Sequence, residues 1–492
     1  MKRVITAFSA LALSALMFTT SAVAQDIPQD KGASPKTTRR LNRAPVNKEV
    51  LHVTLPKPTE VKLSNGLTVL VLERHRVPTV NMALWVNAGS LDDPKDLPGL
   101  AKFTADMLQE GTSRRSSAQL ASEVDALGAN LKSEVEFGST YSEVTASGFA
   151  EDADKLLELM SDVVLNPAFP GDELEKYKTR QLSDLEQQRA DPSFLSQERL
   201  FRALYGDSPA AVLSATPASV KSVSPEQLKS FHSRLYLPNN AMLGVVGDFD
   251  AKQMVALIEK HFGTWKQRPY TAAKITLPAA PAAFKIFLVD RPDSVQTNIL
   301  AGELAVPRNH PDFVPLRVMN RVLGEGTSAR LFMNLREDKG YTYGAYSGFA
   351  SDTYARPIIA NTEVRTAVTD GSMHELLGEF KRMREEPVPE PELDDARRAI
   401  VASFALSLER SSELLDMWMR VKHNGLSDDY WDRYPAEVAK TDSAAVQRVA
   451  KKYLDQNRLQ VVCVGTGKEI KSALQKYGLV DVYDADGKKM AP

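Results

Sequence analysis

The sequence predicts an α+β fold made of two related halves, each with helices packed on a mainly antiparallel sheet. Three observations carry this expectation. First, the chain repeats itself. SVSPEQLKSFHSRLYLPNNAMLGVVGDF (222–249) and AKTDSAAVQRVAKKYLDQNRLQVVCVGTG (439–467) share a Ser or Asp helix start, an amphipathic run ending near Tyr, an Asn-containing turn and an apolar strand closing on Gly. Gly247 and Gly465 are 218 positions apart, and the pairs Glu173-Leu174 and Glu392-Leu393 are offset by 219. Second, each repeat alternates β-rich with helical stretches. Third, KQRPYTAAKITLPAAPAAF, rich in Pro and Ala, reads as a linker over 266–285.

The elements follow in order. MKRVITAFSALALSALMFTTSAVAQ has a basic start, a short apolar core and small residues at Ala22 and Ala24, the pattern of a secretory signal peptide over 1–24, cut after Ala24. A retained anchor is the alternative, but the apolar run is short and interrupted, and no other segment offers a membrane span. Residues 25–50 are polar and read as a flexible lead-in. The first half, 51–265, begins with VKLSNGLTVLVLERHRVPTVNMALWVNAG, a hairpin with an Asn-Gly turn followed by a β-branched strand. Helices come next, then a strand pair around Tyr141–Gly148, long helices and the closing strand. The second half, 286–480, repeats the plan.

Composition narrows the function. At 43% hydrophobic and 25% charged the chain is an ordinary globular protein, and its net charge of −2 favours neither nucleic acid nor an anionic membrane. Its one cysteine, Cys463, lies in the apolar run LQVVCVG and is expected to be buried, with no disulfide to form. No G-x-S-x-G, phosphate loop or nucleophilic Cys is present. The seven histidines (52, 75, 232, 261, 310, 374 and 423) include no pair within five residues, so none forms a local two-His metal site.

GLAKFTADMLQEGT (99–112) predicts a helix from about 99 to 110, broken by Pro98-Gly99 and ended by Gly111-Thr112, with Lys102 and Asp106 on one face at i,i+4. The stretch resembles the zinc helix of the M16 peptidases, the pitrilysin, insulinase and mitochondrial processing peptidase family. There H-x-x-E-H supplies two ligands and a general base. Aligned without a gap, those positions hold Lys102, Ala105 and Asp106, and the third ligand, a Glu on a later helix, falls at Asp184. An ammonium repels Zn²⁺, a methyl accepts no proton, and Lys102 can instead pair with Asp106, with Asp184 joining if the site is partly buried. The plainer alternative is that these are simply solvated helix residues.

VLGEGTSARLFMNLREDKGYTYGAYSGF (322–349) resembles the signature of the family's second half. Gly324, Gly326, Ser328, Arg330, Leu331, Phe332, Leu335, Arg336, Glu337, Gly340 and Tyr343 fit it, and Tyr341 departs from the usual Leu. The resemblance implies that Arg336 and Tyr343 hold the substrate backbone near the scissile bond, a donor fork for carbonyls and a hydroxyl for an oxyanion. Read without the motif, a structural ion pair and a packed strand tyrosine explain the two residues as well. The likeness spans about 55–470 and implies two M16-type (LuxS/metallohydrolase-like) halves facing each other as a clamshell. Because it departs only at the catalytic positions, it implies a periplasmic, non-catalytic subunit of a two-chain peptidase. Such a subunit binds no metal itself. Zinc resides in a sister chain bearing H-x-x-E-H, and the substrate is an unfolded peptide. Two other classes stay open: a peptide-binding or scaffold protein with no part in proteolysis, and a hydrolase using Asp106 and Asp184 with a hard metal.

Overall fold

The computed structural model describes residues 50–270, 275, 277–350 and 352–491. The predicted leader, all of the lead-in but Val50, and part of the predicted linker therefore lie outside the described residues. The first half contains strands β1 (Thr59–Lys62), β2 (Thr68–Glu73), β3 (Thr79–Val86), β4 (Asn130–Glu134), β5 (Ser142–Phe149) and β6 (Ala241–Gly247). Its helices are α1 (Leu100–Met107), α2 (Ser117–Ala126), α3 (Ala153–Leu165), α4 (Gly171–Ala190), α5 (Pro192–Tyr205), α6 (Pro217–Ser222), α7 (Pro225–Leu235) and α8 (Ala251–Phe262). The second half contains β7 (Lys285–Asp290), β8 (Gln296–Leu304), β9 (Thr342–Phe349), β10 (Pro357–Arg365), β11 (Gln460–Gly465) and β12 (Val480–Tyr483). Its helices are α9 (Phe313–Leu323), α10 (Arg330–Phe332), α11 (Thr369–Glu385), α12 (Glu390–Ser407), α13 (Ser411–His423), α14 (Tyr430–Lys440), α15 (Ser443–Tyr453) and α16 (Gly467–Leu474).

The repeat read from the sequence is a repeat of topology. From β2 to α8 and from β7 to α16 the order of strands and helices is the same. The sheets match strand for strand, β2-β6-β3-β5-β4 against β7-β11-β8-β10-β9, and each gains a sixth strand on the same flank, β1 in one and β12 in the other. Pairing is antiparallel apart from β2 with β6, β7 with β11 and β7 with β12. The Asn65-Gly66 turn closes the predicted β1–β2 hairpin, with Gly66 at φ 91°. The repeated closing glycine has a packing reason in the first half: a Cβ on Gly247 would collide with the Thr79 carbonyl.

The way the halves join leaves only an indirect mark in the sequence. Helix α5 leaves the first half and lies on the second half's sheet, burying Leu200, Phe201 and Leu204 against Phe287, Leu300, Val462 and Val464. Helix α13, its counterpart in the repeat, lies on the first half's sheet against β6. Each central strand is thus covered on both faces, one by its own half's helices and one by the exchanged helix. That is why TVLVL and QVVCV read as unbroken apolar runs. Polar bonds fasten the exchange: Trp418 Nε1 donates to the Pro56 carbonyl at 3.0 Å, and Tyr205 OH to that of Ala355 at 2.8 Å.

Two glycines make room for the exchanged helices. A Cβ on Gly244 would come within 2.6 Å of Leu415 Cδ1 and 2.7 Å of Met419 Sδ, and one on Gly302 within 3.0 Å of Leu200 Cδ2. Gly244→Val is therefore expected to cost about 1–3 kcal/mol by overpacking. Urea titration should show a lower midpoint at an unchanged slope, and an unchanged midpoint would mean that α13 is not seated there.

Candidate functional site

Helix α1 starts at Gly99, whose φ of 97° suits glycine and whose missing side chain leaves space for the Phe103 ring and Ala215. Asp93 holds that start, accepting from the Gly99 and Ala101 amides at 2.7 Å each. Burial pushes the Asp93 carboxyl up to about 7 against the pull of those two bonds. The helix is shorter than the predicted 99–110. After Met107 the chain tightens into i→i+3 bonds, Leu108 to Ala105 and Glu110 to Met107, before Gly111 turns it at φ 128°.

Lys102 and Asp106 share one half-buried face, and Lys102 Nζ lies 2.9 Å from Asp106 Oδ2 and 3.2 Å from Oδ1. Ala105 is fully enclosed in the core. Tyr177 on α4 completes the cluster, donating its hydroxyl to Asp106 Oδ2 at 2.6 Å while its ring packs edge-on against Phe103. Burial first, and then the Asp106 charge, hold that hydroxyl firmly protonated. Asp184 does not join. It lies seven residues further along α4, exposed, with Gln181 Nε2 at 3.4 Å as its hydrogen-bond partner. The partner of Asp106 on α4 is Tyr177, a residue that the sequence reading did not single out. The spacing of seven, two helical turns, is the signal that could have found Tyr177.

These residues do not fit a zinc ion. Asp106 already accepts from an ammonium and a phenol, and the neighbouring ligand position is itself a cation. Among the described residues no group of three or more His, Cys, Asp or Glu converges on a point that could hold a metal. What they form is a closed Lys–Asp–Tyr chain of hydrogen bonds. Asp106→Ala is expected to cost about 1–3 kcal/mol by leaving a buried phenol without an acceptor, and Lys102→Ala less than about 1 kcal/mol, since Tyr177 still serves Asp106. Thermal melts of the two variants should rank in that order.

The second stretch sorts into framework and display. Leu331 and Leu335 are fully buried, Arg330 clasps Glu392 through Nε and Nη2 at 2.7 and 2.8 Å, and a Cβ on Gly324 would collide with the Ser347 amide. Arg336 and Tyr343 are different. Arg336 sits in a π-helical turn, Met333–Asp338, half exposed, ion-paired with its neighbour Glu337 and lying over the Phe332 ring. Tyr343 is 91% exposed near the start of β9, an edge strand of the second sheet. The register shifts there: Ala345 faces Thr362 and Thr342 faces Val364, so Tyr343 and Gly344 together oppose Glu363. This β-bulge turns the tyrosine out of the ladder and into solvent.

Comparison with known proteins places this architecture. Residues 68–217 match the family model described as Insulinase (Peptidase family M16), and residues 222–400 match Peptidase M16 inactive domain. An uncharacterized zinc protease of Mycobacterium tuberculosis is 30% identical over 306 residues, 61% of this chain and 68% of that protein. The chain belongs to peptidase family M16. An uncharacterized zinc protease of Mycobacterium leprae is 30% identical over 60% of this chain, which spans 65% of that protein's length. The beta subunit of the mitochondrial-processing peptidase of Lentinula edodes is 25% identical over 80% of this chain and 87% of its own length. Among solved structures, a peptidase M16 inactive domain from Pseudomonas fluorescens superposes with TM-score 0.78 at 26% identity, covering 83% of this chain and 97% of that one. A protease from Helicobacter pylori shares the fold, with TM-score 0.77 at 19% identity over 83% of this chain and all of the other.

Proposed function

We propose that this M16 chain is an exported, periplasmic, non-catalytic subunit of a two-chain zinc endopeptidase. A sister chain with an intact H-x-x-E-H supplies the metal and the base, and this chain supplies Arg336 and Tyr343 to hold an unfolded peptide. The observation that carries the reading is the contrast between the two stretches. Lys102, Ala105 and Asp106 are closed on themselves and unsuited to a divalent ion. Arg336 and Tyr343 stand out from a motif in which Gly324, Arg330, Leu331 and Leu335 build the framework, with Tyr343 aimed into solvent by a bulge. A guanidinium offers a planar fork of donors to peptide carbonyls, and a phenol can stabilise an oxyanion.

The test is reconstitution. The purified chain alone should cleave no peptide, whereas mixing it with a sister chain bearing the zinc motif should give cleavage that a chelator abolishes. Activity of the sister chain that does not change on adding this one would overturn the proposal. The open edges of β4 and β9 also suit a plain peptide binder, since an extended chain can add to either as a further strand. That reading predicts peptide affinity with no effect on the sister chain's cleavage.

A further inference from the structure

The β4–β5 turn of the first half and the β9–β10 turn of the second meet around a pocket of about 360 Å³, walled by Tyr141, Arg308, Asp352, Arg356, Arg420 and His423 among others. These turns are counterparts in the repeat, so the pocket lies where both edge strands, β4 and β9, run out. Its walls are firmly held. Tyr141 stacks on Trp85 with ring centres 4.1 Å apart, and His423 packs edge-on against both rings and meets the Thr140 hydroxyl at 2.9 Å. Tyr354 OH and Arg356 Nη1 both donate to the Gly138 carbonyl, at 2.7 and 3.0 Å.

The charges around the pocket are not evenly matched. Arg420 has its own counter-ion, Asp416, at 2.7 Å. Asp352 accepts from the Thr353 amide at 2.6 Å and from the Thr140 hydroxyl at 3.4 Å, and Glu136 is exposed at the rim. Among the described residues no carboxylate pairs directly with Arg356, although the charge of Asp352 in the same wall favours its guanidinium. Arg356 is largely enclosed, and its hydrogen bonds go to the Gly138 carbonyl and the Tyr354 hydroxyl. Among the described residues its Nε and Nη2 make no hydrogen bond, and neither atom is fully buried. A guanidinium drawn out of water with no carboxylate bonded to it is costly, and the Nε–Nη2 side of a guanidinium is spaced for the two oxygens of a carboxylate.

We propose that the junction pocket binds a carboxylate of an extended peptide, with Arg356 as its counter-charge and Arg308 and Arg420 in the surrounding wall. A strand added to β4 or β9 would bring its end, or a side chain near its end, to this place. The choice of ligand rests on the reading of this chain as a holder of peptides. The site itself is read from Arg356 and the cavity.

Titration calorimetry on the full chain, without any partner, tests it with three N-acetylated six-residue probes of the same β-branched core. One has a free C-terminal carboxylate, one is amidated, and one is amidated with a Glu as its last residue. The free-acid probe should bind at least about tenfold more tightly than the amide, an advantage that salt weakens. If the Glu probe regains the affinity, the pocket accepts side-chain carboxylates as well, and if it does not, the pocket is specific for the chain terminus. Arg356→Gln should reduce the free-acid probe to the affinity of the amide and leave the amide unchanged. Equal affinity of acid and amide for the wild-type chain, or no binding of the acid at millimolar concentration, overturns the proposal without reference to any variant's folding. Because binding is read without a sister chain, its failure and the failure of reconstitution are separate results.

Discussion

Arg115→Ala is expected to lower the free energy of unfolding by about 3–5 kcal/mol, the typical loss when one partner of a buried ion pair is removed. Arg115 lies just beyond the Gly111-Thr112 that closes the α1 segment. Its side chain, only 11% exposed, donates to Glu123 at 2.9 Å, to Asp162 at 2.7 Å and to Glu158. The Asp162 side chain is 1% exposed. Without the arginine it would keep the Thr112 hydroxyl at 2.7 Å and the Asn166 amide at 3.0 Å as donors, and the largely exposed Arg114, whose Nε is 3.9 Å away, as its one remaining ion pair among the described residues. The Thr112 oxygen also accepts the Arg114 and Arg115 amides, at 3.1 and 3.0 Å. The Gly-Thr that follows the zinc-helix pattern is therefore a structural knot. This gives Gly111 and Thr112 a reason to be there that does not depend on a metal.

The same cluster gives a pH signature. Hydrogen bonds from Arg115, and next from Lys155, hold the Glu123 carboxyl below its usual range. A depressed carboxylate contributes stability above its unfolded pKa and loses it as pH falls through the folded one. Wild type should therefore lose stability in acid, and Arg115→Ala should lose less over that interval, narrowing the gap between them. Denaturant titrations at neutral and acid pH read both effects. A variant within about 1 kcal/mol of wild type at pH 7 would show that Asp162 does not depend on the arginine.

What the sequence made legible, and what it hid, follows from the range of the interactions. The hairpin at Asn65-Gly66, the α1 cap at Gly99 and the closing strands are set by local rules, and the repeat exposed the rest of the order. The exchange of α5 and α13 left only an indirect mark, strands apolar on both faces, because a helix buried on a foreign sheet reads the same as one buried on its own. Tyr177 was hidden for a related reason. A tyrosine on an amphipathic helix usually packs, and only the position of Asp106 across the groove makes this one a hydrogen-bond donor. The bulge at Tyr343 needs the β10 register to be seen. Asp184 shows the opposite error, a residue type that suits the chemistry at a position facing solvent.

Arg336→Ala in the reconstituted two-chain peptidase is expected to reduce kcat/KM by about 10²–10³-fold, the range found when one preorganised transition-state donor is removed. Tyr343→Phe, which removes only an oxygen, should fall towards the lower end of that range and act mainly on kcat, because an oxyanion exists only after the substrate has bound. Neither change should alter the fold. Arg336 is half exposed and, among the described residues, pairs only with the adjacent Glu337, and Tyr343 buries almost nothing, so unfolding free energies should stay within about 0.5 kcal/mol of wild type. That separation makes the experiment decisive. A structural role for either residue would show as a lowered melting temperature with kcat/KM reduced only in proportion to the folded fraction. A shared active site would show as a large kinetic loss in a chain that melts normally. Variants that melt like wild type and cleave like wild type would remove Arg336 and Tyr343 from the reaction, and with them this chain's part in the catalytic site.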